Sequence, residues 1–268
     1  MPRAASLENP FGAFNFTLES RPASEQIALL EGLGYEGMAL YWPGVAAFET
    51  FATQPAVREG RFRLFAVLYD FRYDTPWSRE EVDAMLAALA PRGTDVWLLL
   101  SSTAAPRETM VEAVRELVGM ATAQGVRVVV YPHDEHAIET VEEALALLQA
   151  VDRPELKASL HLCHELKAGH RDRLAEVIAA AAPQLVLASI HGAAREDTPG
   201  WSTTIQPLDR GDLDVLNTYL RPLIRSGYTG PVLLHTFGIE QPPEEHFRRS
   251  HAAWREMSRE VAATLTGQ

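Results

Sequence analysis

Short runs of aliphatic, aromatic and β-branched residues alternate along the chain with longer stretches whose apolar positions recur every three or four residues. A short apolar run suits a strand, and a 3.6-residue spacing gathers apolar side chains on one face of a helix. This predicts strands over 12–17, 37–41, 63–69, 95–100, 127–131, 158–162, 185–191 and 232–237. Helices are predicted over 24–33, 78–89, 107–124, 138–151, 171–182, 213–225 and 244–264. Ser24 is a candidate cap for the first of these, and Ser78 with Glu81 makes a capping box for the second. Eight strand–helix alternations at about 33 residues each predict a single (β/α)8 TIM barrel spanning 1–268. The competing α/β design, an open doubly wound sheet, carries a glycine-rich phosphate loop after its first strand. Here Leu18-Glu19-Ser20-Arg21-Pro22 stands in that place.

Composition narrows the functions. The chain has 268 residues, 47% of them hydrophobic, enough for one large core with no linker dividing it. With 24 Lys+Arg against 36 Asp+Glu, the net charge of −12 repels phosphate backbones, so nucleic acid is not an expected partner. The lone cysteine, Cys163, allows no internal disulfide and no cysteine-based zinc site, and reads as a small buried hydrophobe. No apolar run approaches a membrane span and no leader is visible, so a soluble, cytoplasmic protein is expected. Assembly into a homo-oligomer stays open.

The histidines carry the chemistry. His133, His161, His164, His191 and His235 fall at or just after predicted strand ends, and in a barrel all strand ends meet around one mouth. Tyr131, His161 and His191 are thirty residues apart in turn, and His235 takes the same place in the last unit. Ser159, His161 and Cys163 share one side of a strand by parity, as do Ser189 with His191 and Leu233 with His235. Three inward imidazoles on neighbouring tips predict a divalent-metal site of His161, His191 and His235, suited to Zn, Mn, Fe or Co.

Several motifs together resemble the xylose isomerase-like barrel superfamily of sugar phosphate isomerases and epimerases. They are Tyr131-Pro132-His133, the run Leu162-Cys163-His164-Glu165-Leu166-Lys167-Ala168-Gly169, Ser189-Ile190-His191-Gly192-Ala193, Ile205-Gln206-Pro207-Leu208-Asp209-Arg210-Gly211-Asp212, and Gly227-Tyr228-Thr229-Gly230-Pro231-Val232. The resemblance covers nearly the whole chain. It implies a divalent metal held at the tips of strands 5 to 8 by Glu, Asp, His and Glu. This chain has Tyr131, His161, His191 and His235 there, so only His191 matches in kind. The missing glutamates also form the acid/base pair of the epimerases, which puts the two-glutamate proton shuttle in doubt. The superfamily's DNA-repair endonucleases need a basic groove that this composition does not offer.

The expected activity is therefore a metal-dependent isomerase or epimerase acting beside the carbonyl of an unphosphorylated sugar, a small-molecule carbohydrate. A lyase or hydratase of keto-sugars or keto-glycosides is the alternative reaction, and a non-catalytic binding barrel the alternative class. His133, His164, Glu165 and Tyr131 are the acid/base candidates, with Asp70 behind them. Arg210, Tyr41, Trp42, Tyr69 and Phe237 are the substrate-binding candidates. The loop after His235 has no basic residue and no phosphate-binding turn, which favours a neutral substrate.

Overall fold

A computed structural model describes residues 7–101, 104–196 and 200–265. Its eight strands are β1 (Phe11–Phe14), β2 (Gly37–Tyr41), β3 (Arg63–Phe71), β4 (Asp95–Leu100), β5 (Val128–Val130), β6 (Lys157–His161), β7 (Leu185–Ile190) and β8 (Val232–Leu234). All pair in parallel in sequence order, and β1 pairs β8 with Phe11 opposite Val232, which closes the barrel. Every expected strand is present. The expected (β/α)8 architecture is the observed one.

The helices are α1 (Ala23–Leu33), α2 (Val45–Ala52), α3 (Pro55–Arg58), α4 (Arg79–Leu89), α5 (Arg107–Ala123), α6 (Val141–Val151), α7 (Leu162–Lys167), α8 (Leu174–Ala181), α9 (Arg221–Arg225) and α10 (Pro243–Leu265). Four expectations need correction. Helix α1 starts after Pro22 with no side-chain cap, so Ser24 is not its cap. Helix α6 starts three residues later than expected, because Thr140 and Glu143 form a reciprocal capping box there. The link after β2 carries α2 and α3, which the pattern did not predict. The helix expected over 213–225 is a π turn, Leu216–Leu220, running into α9. Pro222 has no N–H for the Thr218 carbonyl, which accounts for the widened turn.

Two apolar layers follow from strand parity. Phe14, Ala39, Ala66, Leu68, Trp97, Leu99, Val129, Leu187 and Leu233 fill the barrel, while a larger cluster packs the outer strand faces against the helices. Gly12 and Gly37 sit where a β-carbon would run into Phe65, so glycine is what lets that bulky ring lie inside the bottom layer. The interior is solid at that end. At the C-terminal tips the inward positions turn polar, and Ser159, His161, Ser189, His191 and His235 are all buried there. Among the described residues, no helix is long and apolar enough to cross a membrane.

Candidate active site

A cavity of about 250 Å³ opens at the strand C-termini. Its inner wall is Leu99, Tyr131, His133, His136, His164, Ile205 and His235, and its rim is Phe16, Tyr41, Asp70, Trp201 and Phe237. A larger cavity, about 660 Å³, lies at the opposite end around Phe11, Glu36, His251 and Trp254 and holds none of the tip histidines. The chemistry belongs to the smaller one, where the strand tips converge.

Hydrogen-bond geometry fixes several imidazole tautomers, because a carbonyl only accepts and a backbone N–H only donates. His133 Nδ1 and His136 Nδ1 both donate to the Asp134 carbonyl, at 2.6 and 3.0 Å. Each ring therefore keeps a basic lone pair on Nε2. The Asp134 N–H donates to His164 Nδ1 at 3.2 Å, so neutral His164 carries its proton on Nε2, a buried atom with no partner among the described residues. His191 Nδ1 donates to the Gly192 carbonyl at 3.0 Å, leaving a lone pair on its buried Nε2, which has no partner among the described residues.

His161 is different. Trp97 Nε1 donates to Ser159 Oγ at 2.6 Å, and Ser159 Oγ donates to the Val130 carbonyl at 2.8 Å. Ser159 has then spent its proton, so His161 Nε2 donates to it at 2.8 Å and His161 Nδ1 accepts from Ser189 Oγ at 3.0 Å. Both nitrogens are saturated. The expected set of His161, His191 and His235 does not share one point among the described residues. The donor atoms that do converge, within 4.8 Å of one another, come from Cys163, His164 and His235, all buried. Cys163 is the buried apolar residue expected, packed with Ile205 and Ile239, and its sulfur also lies beside the His164 and His235 donors. It leaves the parity shared by Ser159 and His161, because β6 ends at His161 and α7 begins at once.

Burial governs the electrostatics. Desolvation lowers His133 and His191 to about 4 and holds His161, His164 and His235 well below the ordinary imidazole range. Repulsion from neighbouring imidazoles adds to this for His161, His164 and His235. Tyr131 is pushed well above 10, chiefly by burial, and stays a hydroxyl donor. Its oxygen lies 3.4 Å from His235 Nε2.

The remaining candidates divide. Tyr41 and Phe237 are on the rim, 42% and 47% exposed. Trp42 packs on Phe48 and Tyr69 on Phe71, and neither lines the cavity. Glu165 is turned away from it. Its Oε1 accepts from the Val141 N–H at the start of α6 and its Oε2 pairs with His170 Nδ1, 2.8 and 2.7 Å away. Arg210 sits in an exposed turn outside the cavity, and Asp209 pairs with Arg249 at 2.6 Å. The 206–212 segment is instead a clasp on the end of β7. Gly192 and Gln206 exchange backbone hydrogen bonds, and a β-carbon on Gly192 would strike the Pro207 and Arg210 carbonyls. Phe16, His136, Trp201 and Ile205 join the site without having been expected. Phe16 follows β1 by parity and was within reach of the pattern, whereas Trp201 and Ile205 come from the long β7–β8 link.

The donor set suits a soft transition cation of the zinc class, not magnesium or calcium, which prefer oxygen ligands. A cation held by His164 through Nε2 would take the place of the proton on that nitrogen, at the cost of the Asp134 bond to Nδ1.

No curated protein matches the sequence significantly. The solved structures that resemble it share the fold at low identity. One is a 3-keto-D-glucoside 4-epimerase from E. coli, with 16% identity, TM-score 0.73, and coverage of 92% of this chain and 99% of that one. Another is a probable 3-DHS dehydratase from Bacillus anthracis, with 14% identity, TM-score 0.74, and coverage of 90% and 97%. A third is a xylose isomerase-like barrel protein from Mycobacterium smegmatis in complex with magnesium, with 16% identity, TM-score 0.69, and coverage of 94% and 97%. A model of the xylose isomerase-like TIM barrel family matches residues 100–257, and this chain belongs to that family.

Proposed function

We propose that the protein is an isomerase- or epimerase-like enzyme that moves a proton beside the carbonyl of an unphosphorylated sugar, with a divalent metal at Cys163, His164 and His235. The observation that carries this reading is the group of imidazoles lining the cavity at the strand tips, His133, His136, His164 and His235, with the His164 Nε2 unpartnered and no Lys or Arg among the described lining residues. A bound cation of the zinc class would supply Lewis acidity at the carbonyl oxygen.

His133 is the base. Its Nδ1–H is anchored on the Asp134 carbonyl, so Nε2 is the basic nitrogen, and its depressed pKa keeps it unprotonated at neutral pH. It takes the proton from carbon beside the carbonyl, and the electron pair moves to oxygen as an enediolate. Tyr131 keeps its phenolic proton and donates toward that oxygen. Return of the proton from His133 to the adjacent carbon on the same face, with the hydroxyl proton passing to the former carbonyl oxygen, completes an isomerisation, whereas inversion at one carbon needs a proton donor on the opposite face. The E. coli structure named above, a keto-glucoside epimerase, fits this class of chemistry.

Elimination is the second reading, favoured by one specific feature. Among the described lining residues Asp70 on the rim is the single carboxylate, and no carboxylate pair delivers a proton from the opposite face. One base with a Lewis acid suits loss of a β-leaving group as well as reprotonation. The test incubates zinc-loaded protein with keto-hexoses and keto-glycosides in deuterated water. Deuterium beside the carbonyl supports both readings, and product identity separates them. No exchange and no turnover across the panel supports a non-catalytic binding barrel.

A further inference from the structure

The rim poses a problem that sugar chemistry alone does not answer. Among the described residues only four large hydrophobics are well exposed, and two of them, Tyr41 and Phe237, stand at this mouth. Phe16 lies between them, with ring centroids 5.6 Å from Tyr41 and 5.8 Å from Phe237. Trp201 extends the arc 6.4 Å from Phe237, its plane nearly perpendicular at 88°, with Lys167 Nζ 5.4 Å over its ring. Four rings held at different angles around one opening form a cage of faces and edges. Wet aromatic surface gathered at a cavity mouth marks a place that something apolar covers.

The polar side of the cavity is sparse. Tyr131, Asp70 and the imidazoles are its hydrogen-bonding groups among the described residues. Among the described lining residues there is no lysine or arginine, and Asp70 brings a carboxylate to the rim, which disfavours a phosphate or carboxylate there. The volume, about 250 Å³, is smaller than the roughly 300–1,000 Å³ of pockets that engulf a drug-sized ligand. A ligand of two rings can therefore place one among the imidazoles and must leave the other at the mouth.

We infer that the substrate is a neutral glycoside with an aromatic aglycone, its sugar among the imidazoles and its aryl ring within Phe16, Tyr41, Trp201 and Phe237. This rests on the proposed sugar chemistry, and it adds what the rim selects. Stacking and edge contacts against two or more rings favour an aryl over a methyl glycoside by about tenfold or more.

Calorimetric titration of the full-length protein tests it with phenyl β-D-glucopyranoside, methyl β-D-glucopyranoside, phenol and glucose 6-phosphate. The phenyl glycoside should bind at least about tenfold more tightly than the methyl glycoside, phenol and the phosphate. The double variant Tyr41→Leu, Phe237→Leu should lose most of that ratio and keep its affinity for the methyl glycoside. Both positions are exposed, and an unchanged melting temperature confirms the fold. Equal binding of both glycosides, no binding of the phenyl glycoside, phenol binding as tightly as its glycoside, or tighter binding of the phosphate each overturns the inference. Deuterium exchange separates its failure from that of the reaction. Exchange into keto-hexoses without aryl preference removes the inference and leaves the reaction. Aryl preference without exchange does the reverse.

Discussion

The Tyr131 ring lies over the His161 imidazole, with centroids 3.8 Å apart and planes 30° apart. Two residues thirty positions apart in sequence, on adjacent strand tips, meet each other and not a common ligand. With Ser159 and Ser189 on its nitrogens, His161 is the top of the barrel core. The expected outcome is that His161→Ala retains bound zinc at wild-type stoichiometry and loses about 2–4 kcal/mol of stability. His235→Ala and Cys163→Ser should lose the metal. Mass spectrometric metal analysis after zinc loading decides. Loss of zinc in His161→Ala would restore the three-histidine site.

This pair shows what was legible in the sequence and what was not. Strand existence and the mouth position of the histidines follow from local pattern, because parallel barrel strands are short apolar runs in regular order. The identity of the converging set depends on where β6 stops. Ser159, Leu160, His161, Leu162 and Cys163 alternate like a strand throughout, yet the chain turns helical at Leu162, which swings Cys163 and His164 toward His235. Helix α2 was hidden for a related reason: it starts after Gly44 at φ 87° with no capping side chain to announce it. Trp201 reaches the mouth from the long β7–β8 link, and no periodicity places such a residue.

His133→Ala should lower the rate of solvent exchange by at least about 100-fold, within the range ascribed to a positioned general base. Ligand affinity should change by less than about threefold, because the ring's role is proton transfer. Separate determination of kcat and KM is the check. An effect confined to KM would make His133 a binding residue.

Acid should unfold the protein well before its carboxylates are the cause. Burial holds His191 and His246 at about 4 and His161 below the ordinary range, whereas unfolded imidazoles titrate near 6.5. Between about 6.5 and 4 the unfolded chain binds more protons than the native one. Stability is therefore full above about pH 6.5 and falls as pH drops toward 4, by up to about 1.4 kcal/mol per pH unit for each fully buried imidazole. Urea unfolding of the chelator-treated protein at pH 7.5, 6, 5 and 4.5 measures this. A flat dependence across that range would mean these rings do not stay neutral on folding.

Glu165 should matter to folding and not to proton transfer. Its carboxylate is buried, satisfies the Val141 N–H at the start of α6 and pairs with His170. Glu165→Ala strands both partners and should cost about 2–4 kcal/mol. Glu165→Gln keeps an acceptor for Val141 and should cost less, with the exchange rate unchanged in both variants at a temperature where they are folded. A large drop in exchange by a folded Glu165→Gln would bring the residue back into the mechanism.

The last prediction separates the clasp from the site. Leu208-Asp209-Arg210-Gly211 is among the segments by which the chain resembles its family, and such a loop invites a binding role for its arginine. Gly192 argues otherwise, because its missing side chain lets the loop's own carbonyls lie against the end of β7. Gly211 adopts φ 87°, and a β-carbon there would strike the Ala193 backbone. Alanine at either position must displace backbone, which cannot move as a side chain can. Gly192→Ala and Gly211→Ala should each cost more than about 2 kcal/mol. Gly60→Ala, also at positive φ but in open space, should cost only about 1 kcal/mol. Arg210→Ala should leave both stability and glycoside affinity within about 0.5 kcal/mol of wild type. Thermal unfolding and calorimetric titration of the four variants check this, and a loss of glycoside binding in Arg210→Ala would show that the turn reaches the substrate after all.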